Sequence, residues 1–128
     1  MIESLMQLSH LSASERLALT ELLNRLEREY DHIVLQVILY GSSVRGDRSP
    51  DSDVDLLIVT CSDDWRTQEP LRFLIAHLST QHDVFLSPWI ISLERFERLR
   101  QNQSLLYDRI GQEGLVLLRL SQQPVVKV

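Results

Sequence analysis

Two strand-length apolar runs, Ile33 to Tyr40 and Val54 to Val59, stand on either side of a short polar segment that opens at Gly41 and closes at Asp53. The first run is rich in β-branched and aromatic residues and is halted by a glycine, so it reads as a buried strand. The second has the same apolar character and strand length. Between them, Gly41-Ser-Ser-Val-Arg-Gly46 predicts a sharp turn with up to two turns of helix, and Arg48-Ser-Pro-Asp-Ser52 predicts a polar loop. A chain with this centre must form two sheet strands joined by a turn.

The flanks add helices. Ser12-Ala-Ser-Glu15 has the form of a capping box, and Leu17, Leu19, Leu22, Leu23 and Leu26 follow at helical spacing to about Tyr30. Glu69 to Thr80 predicts a second long helix, and Asp83 to Ile91 a third strand, placed at an edge or interrupted by Pro88. Ser92 caps a helix from Leu93 to about Arg100, Ser104 caps another to about Glu113, and Gly114 ends it before a last strand, Leu115 to Leu118. The expected class is α/β or α+β, with a small mixed sheet covered by helices.

Length and composition bound the rest. The 128 residues contain no internal repeat or long linker, so the expectation is a single domain over 1–128. No apolar run approaches the roughly 20 residues of a membrane span, and Met1 to His10 lacks the features of a secretory leader; the expected compartment is the cytoplasm. Cys61 is the single cysteine, which excludes an intrachain disulfide and suits a small core or strand-end residue. A net charge of -5 argues against free nucleic acid as a partner.

The chemistry lies in Gly41-Ser42, then ten residues, then Asp53-Val54-Asp55. Side chains two apart on a strand share a face, which sets the two carboxylates about 7 Å apart along it. Such a pair repels itself unless divalent cations lie between, and hard oxygen ligands suit Mg²⁺, or Mn²⁺ in its place. Mg²⁺ is commonly held by one or two carboxylates together with substrate phosphates, so the expected ligand is a metal-bound nucleoside triphosphate. Gly41 lets the backbone approach an anion, while the Ser42 hydroxyl and the amides of Ser42 and Ser43 can donate to phosphate oxygens. Arg45, one helical turn on, can neutralise phosphate charge or pair with Asp47 or Asp51, and Arg48 is a further candidate cation. If the third strand pairs beside the second, Asp83 joins the two acids, where it could bind metal and take a proton from an attacking hydroxyl.

Gly41-Ser-Ser-Val-Arg-Gly-Asp47 followed by Ser52-Asp-Val-Asp-Leu-Leu-Ile-Val59 resembles the signature of the DNA polymerase β-like nucleotidyltransferases, and of their minimal, stand-alone MNT members in particular. The ending Ser104-Leu-Leu-Tyr-Asp-Arg-Ile110 with Glu113-Gly114 is similar to the usual C-terminal segment of those proteins. The resemblance implies a nucleotidyltransferase fold in which Gly41 and Ser42 hold phosphate, Asp53 and Asp55 bind two Mg²⁺ ions, and Asp83 is the third catalytic acid. It implies ATP as substrate and, as partner in a hetero-oligomer, a HEPN ribonuclease toxin whose tyrosine receives AMP. Two alternatives stand beside this: an antitoxin that neutralises by binding without catalysis, and transfer to a small molecule such as an aminoglycoside, which the lack of an acceptor domain disfavours.

Other residues have simpler readings. His10, His32, His77 and His82 show no metal-ligand spacing. The run from Glu94 to Arg100 is most simply a solvated helix face, or else a docking surface. Trp65 and Trp89 are core or interface anchors.

Overall fold

The computed structural model describes residues 10–47, 49 and 52–120; Arg48 and Asp51 lie outside them. The elements run α1 (Ala13–Glu29), β1 (Val34–Tyr40), α2 (Ser42–Arg45), β2 (Val54–Thr60), α3 (Trp65–His82), β3 (Leu86–Ser92), α4 (Leu93–Gln101), α5 (Leu105–Glu113) and β4 (Leu115–Arg119). The strands form one mixed sheet in the order β3-β2-β1-β4. β1 pairs antiparallel with β2 and with β4, while β2 and β3 are parallel. This is the α/β class expected from the sequence.

The sheet is covered on both faces. On one side Leu19, Leu22, Leu23 and Leu26 of α1 and Leu71, Ile75 and Leu78 of α3 pack with Val37, Leu39, Leu56 and Ile58. On the other, Phe96 of α4 and Ile110 of α5 close over Ile38, Leu57, Val59 and Ile91. Nearly all of these side chains are fully buried, each contributing about 1.5–3 kcal/mol of transfer free energy. Alternate residues of the central strands therefore go to alternate cores, which is why the strands read as continuous apolar runs.

The capping box of α1 forms as the sequence predicts: Ser12 Oγ accepts from the Glu15 amide at 3.1 Å, and Glu15 Oε1 accepts from the Ser12 amide at 2.8 Å. Leu17 departs from expectation and is 62% exposed. It lies two positions before Leu19, about 200° round the helix, on the solvent side. Helix α3 begins four residues earlier than expected, at Trp65, where Asp64 caps it through the Arg66 amide. Pro70 therefore sits inside the helix. Pro88 lies on β3, an edge strand, where its missing N–H costs no ladder bond on the open side.

The polar surface follows the simpler readings. On α4, Arg98 pairs with Glu94 at 2.7 Å and Arg100 with Glu97 at 2.6 Å, as on a solvated face. Trp65 is exposed with Arg66 over its ring, and Trp89 packs against the second core. Cys61 follows β2 directly and is exposed. His82 bridges α3 to α1 through Glu21 at 2.8 Å.

Candidate active site

The predicted residues gather at one end of the sheet, where β1 finishes, β2 starts and α5 finishes. Gly41 leaves β1 with φ +81, a left-handed conformation that side chains avoid. Here the freedom is needed twice, because a Cβ built on Gly41 would also run into Asp55 Oδ2. Glycine thus lets the backbone of the turn lie directly against the acid. From it springs α2, with the Val44 and Arg45 amides bonded to the Gly41 carbonyl at 3.0 and 3.1 Å. Gly46, at φ +86, stops it.

Asp55 is the second residue of β2, half-buried, facing Tyr40 on β1 and Ser87 on β3 across the sheet. Asp53 stands one residue ahead of β2 and is exposed. The two aspartates thus stand two positions apart at the mouth of β2, Asp55 within the strand and Asp53 just ahead of it. Burial, and next the nearby Asp55 charge, push the Tyr40 hydroxyl above its ordinary value.

Ser42 is half-buried at the start of α2, and Ser43 is fully buried. The Ser43 hydroxyl has no hydrogen-bond partner among the described residues. Arg45 is turned to two carboxylates: its Nε donates to Asp47 Oδ2 at 3.1 Å and its Nη1 to Glu113 Oε1 at 3.0 Å. Those bonds, Asp47 first and Glu113 next, raise its guanidinium above the usual arginine value. The pairing with Asp47 is one of the alternatives read from the sequence.

Asp83 needs correction. It does not open β3, which starts at Leu86; it caps the C-terminus of α3 at φ 53, its amide bonded to the Ser79 and Thr80 carbonyls. Aspartate is among the few non-glycine residues that tolerate this conformation, so the helix ends there and the strand begins three residues later. The β3 residue opposite Asp55 is Ser87, not an acid. Asp83 does line, with Asp53, an open depression of about 610 Å³ between α3 and β3.

Among the described residues no group of three or more His, Cys, Asp or Glu side chains is arranged to hold a metal. Asp53 and Asp55 are hard oxygen donors, and two such carboxylates beside a glycine turn would suit a divalent cation that takes its remaining ligands from a bound phosphate and water.

Glu113 is the site residue that sequence reasoning misses. Its Oε1 accepts from the Gly41 amide at 3.2 Å and from Arg45, and its side chain is only 17% exposed. The β1–β4 register explains the reach: Leu39 pairs with Leu115, so continuing the antiparallel ladder sets Gly41 opposite Glu113. A glutamate on the last turn of a helix reads as solvated, and only the strand register could reveal its contact.

A family model described as "Nucleotidyltransferase domain" matches residues 19–113. A Methanocaldococcus jannaschii protein named "Putative protein adenylyltransferase MJ0604" is 41% identical over 46 residues, which span 36% of this chain and 46% of that relative. The chain thus spans about half the length of the curated relative it matches. Among solved structures, a chain of "Crystal structure of the toxin-antitoxin with AMP-PNP" superposes with a TM-score of 0.51 at 20% identity, covering 84% of this chain and 75% of that one. A chain from a mutant toxin-antitoxin MntA-HpeT structure gives 0.49 at 17% identity, covering 84% and 74%. With the family model spanning most of the length from α1 to the end of α5, and the glycine turn and paired aspartates inside it, the chain belongs to the nucleotidyltransferase domain family.

Proposed function

We propose that this chain transfers AMP from ATP to a hydroxyl of a partner protein, a tyrosine of a HEPN-type ribonuclease toxin, and so acts in the cytoplasm as that toxin's antitoxin. The observation that carries the reading is the contact between the Gly41 turn and Asp55, which sets the backbone of α2 beside the acid pair. The name of the M. jannaschii relative and the AMP-PNP-bound toxin-antitoxin neighbour support an adenine nucleotide and a protein acceptor, while the HEPN class and the tyrosine rest on the motif resemblance.

In this reading Asp53 and Asp55 hold two Mg²⁺ ions that come with the nucleotide, and Ser42, with the amides of Ser42 and Ser43, binds phosphate oxygens. The metal supplies charge neutralisation on the triphosphate as pyrophosphate leaves. The acceptor oxygen bonds to the α-phosphorus, the bond from that phosphorus to the pyrophosphate oxygen breaks, and the hydroxyl proton passes to a carboxylate. We assign that last task to Asp83, the other carboxylate lining the depression beside Asp53.

Intact-mass spectrometry of the partner co-expressed with this chain tests the proposal. One or more additions of AMP should appear and vanish with Asp53→Asn; a partner left unmodified by the wild type would sink it. One observation favours a second reading, neutralisation by binding alone: the position on β3 facing Asp55 is Ser87 rather than a third acid. Neutralisation that survives the combined changes Asp53→Ala and Asp55→Ala would decide for that reading.

A further inference from the structure

We infer that Glu113, at the end of α5, is a positioning residue for the triphosphate: one of its oxygens fastens both the Gly41 amide and the Arg45 guanidinium, and thereby sets the turn against Asp55. This rests on the nucleotide site proposed above.

The geometry brings three parts of the chain to one point. Gly41 ends β1, Arg45 ends α2, and Glu113 ends α5, 72 residues on from Gly41 in sequence. Glu113 Oε1 accepts from Gly41 at 3.2 Å and from Arg45 Nη1 at 3.0 Å. Those two donors lie at the two ends of α2, so a single carboxylate fixes the whole four-residue turn as a rigid piece. The Gly41 backbone in turn abuts Asp55 Oδ2, so any shift of the turn changes its spacing from the acid pair.

Charge makes the arrangement directional. An unpaired carboxylate near a triphosphate would repel it, whereas a carboxylate engaged by a guanidinium and an amide is neutralised locally. Two of the five N–H groups of Arg45 serve Asp47 and Glu113, which holds the planar head in one orientation at the rim of the turn. Glu113 is largely shielded from solvent, where such bonds are worth more than on an open surface.

Calorimetric titration of MgATP into wild type, Glu113→Ala and Glu113→Gln tests the inference, with circular dichroism to verify folding. Loss of a charge-assisted bond corresponds to roughly tenfold weaker binding in Glu113→Ala. Glutamine keeps an acceptor oxygen, so Glu113→Gln should fall between the two. If Glu113→Ala does not fold, the Glu113→Gln comparison carries the test. With an acceptor present, the weakening should show in KM for ATP more than in kcat, a split that general loss of stability does not produce. Folded variants that bind MgATP as tightly as wild type, or more tightly, overturn the positioning role and leave the nucleotide site standing. A wild type that binds no MgATP overturns the nucleotide site, and this inference with it.

Discussion

Gln36 on β1 and Gly41 directly after it show how single positions divide between packing and chemistry. Gln36 is fully buried, and both polar atoms of its amide lack a partner among the described residues. An unsatisfied buried amide costs about 1–3 kcal/mol, more than a methylene chain of the same size would. Gln36→Met should therefore raise stability by roughly 1–3 kcal/mol in urea unfolding; an unchanged or lowered midpoint would mean that the amide is satisfied in solution. Gly41 is the opposite case, where removal of a side chain serves the site, because the turn must touch Asp55. Gln36 sits in an apolar run that predicts the strand correctly, yet nothing in the run marks it as orphaned. The glycine, by contrast, is legible, since it follows the strand directly and precedes Ser42, with ten residues between that serine and Asp53.

At the scale of elements, periodicity finds α1, α4 and α5 with their caps because each begins at a serine whose side chain closes the first turn: Ser12, Ser92 and Ser104. It errs where a local signal conflicts with packing. The helix expected from Glu69 begins at Trp65, where Asp64 caps it, so that Pro70 lies inside α3, beyond the first turn. It errs again at Asp83, because a helix that stops in a left-handed residue leaves the next segment extended, and the sequence does not say at which residue. Strand pairing is invisible to local patterns, and with it the link from α5 to the turn through Glu113. One titration belongs to this scale as well. Tyr40, on β1 and half-buried beside Asp55, has its hydroxyl pKa raised in the fold. The native state therefore keeps the proton when the unfolded chain begins to lose it, near pH 10, and stability falls as pH rises from there through the raised value. Tyr40→Phe should flatten that alkaline decline in denaturant midpoints measured from pH 8 to 11; an equally steep decline would show that Tyr40 does not titrate in this way.

For the whole molecule, the sheet with helices on both faces leaves its functional residues at one end, outside both cores. The strand order places β1 and β2 at the centre, so the turn between them is anchored by the best-packed part of the chain. Exchange of aspartates at that end should cost little stability, since Asp53 is exposed and Asp55 half-buried. Among the described residues no helix is long and apolar enough to cross a membrane. The family, the fold and the aspartate pair are thus readable from a short stretch of sequence, whereas the supporting carboxylate at the far end of the chain requires the sheet register. Calorimetry of MgATP with the wild type and with the Asp53→Asn, Asp55→Asn double variant tests the central claim most directly. The account predicts binding by the wild type and a loss of at least about tenfold in a folded double variant, equivalent to about 1.4 kcal/mol. Equal binding by both proteins, or none by the wild type, would contradict it.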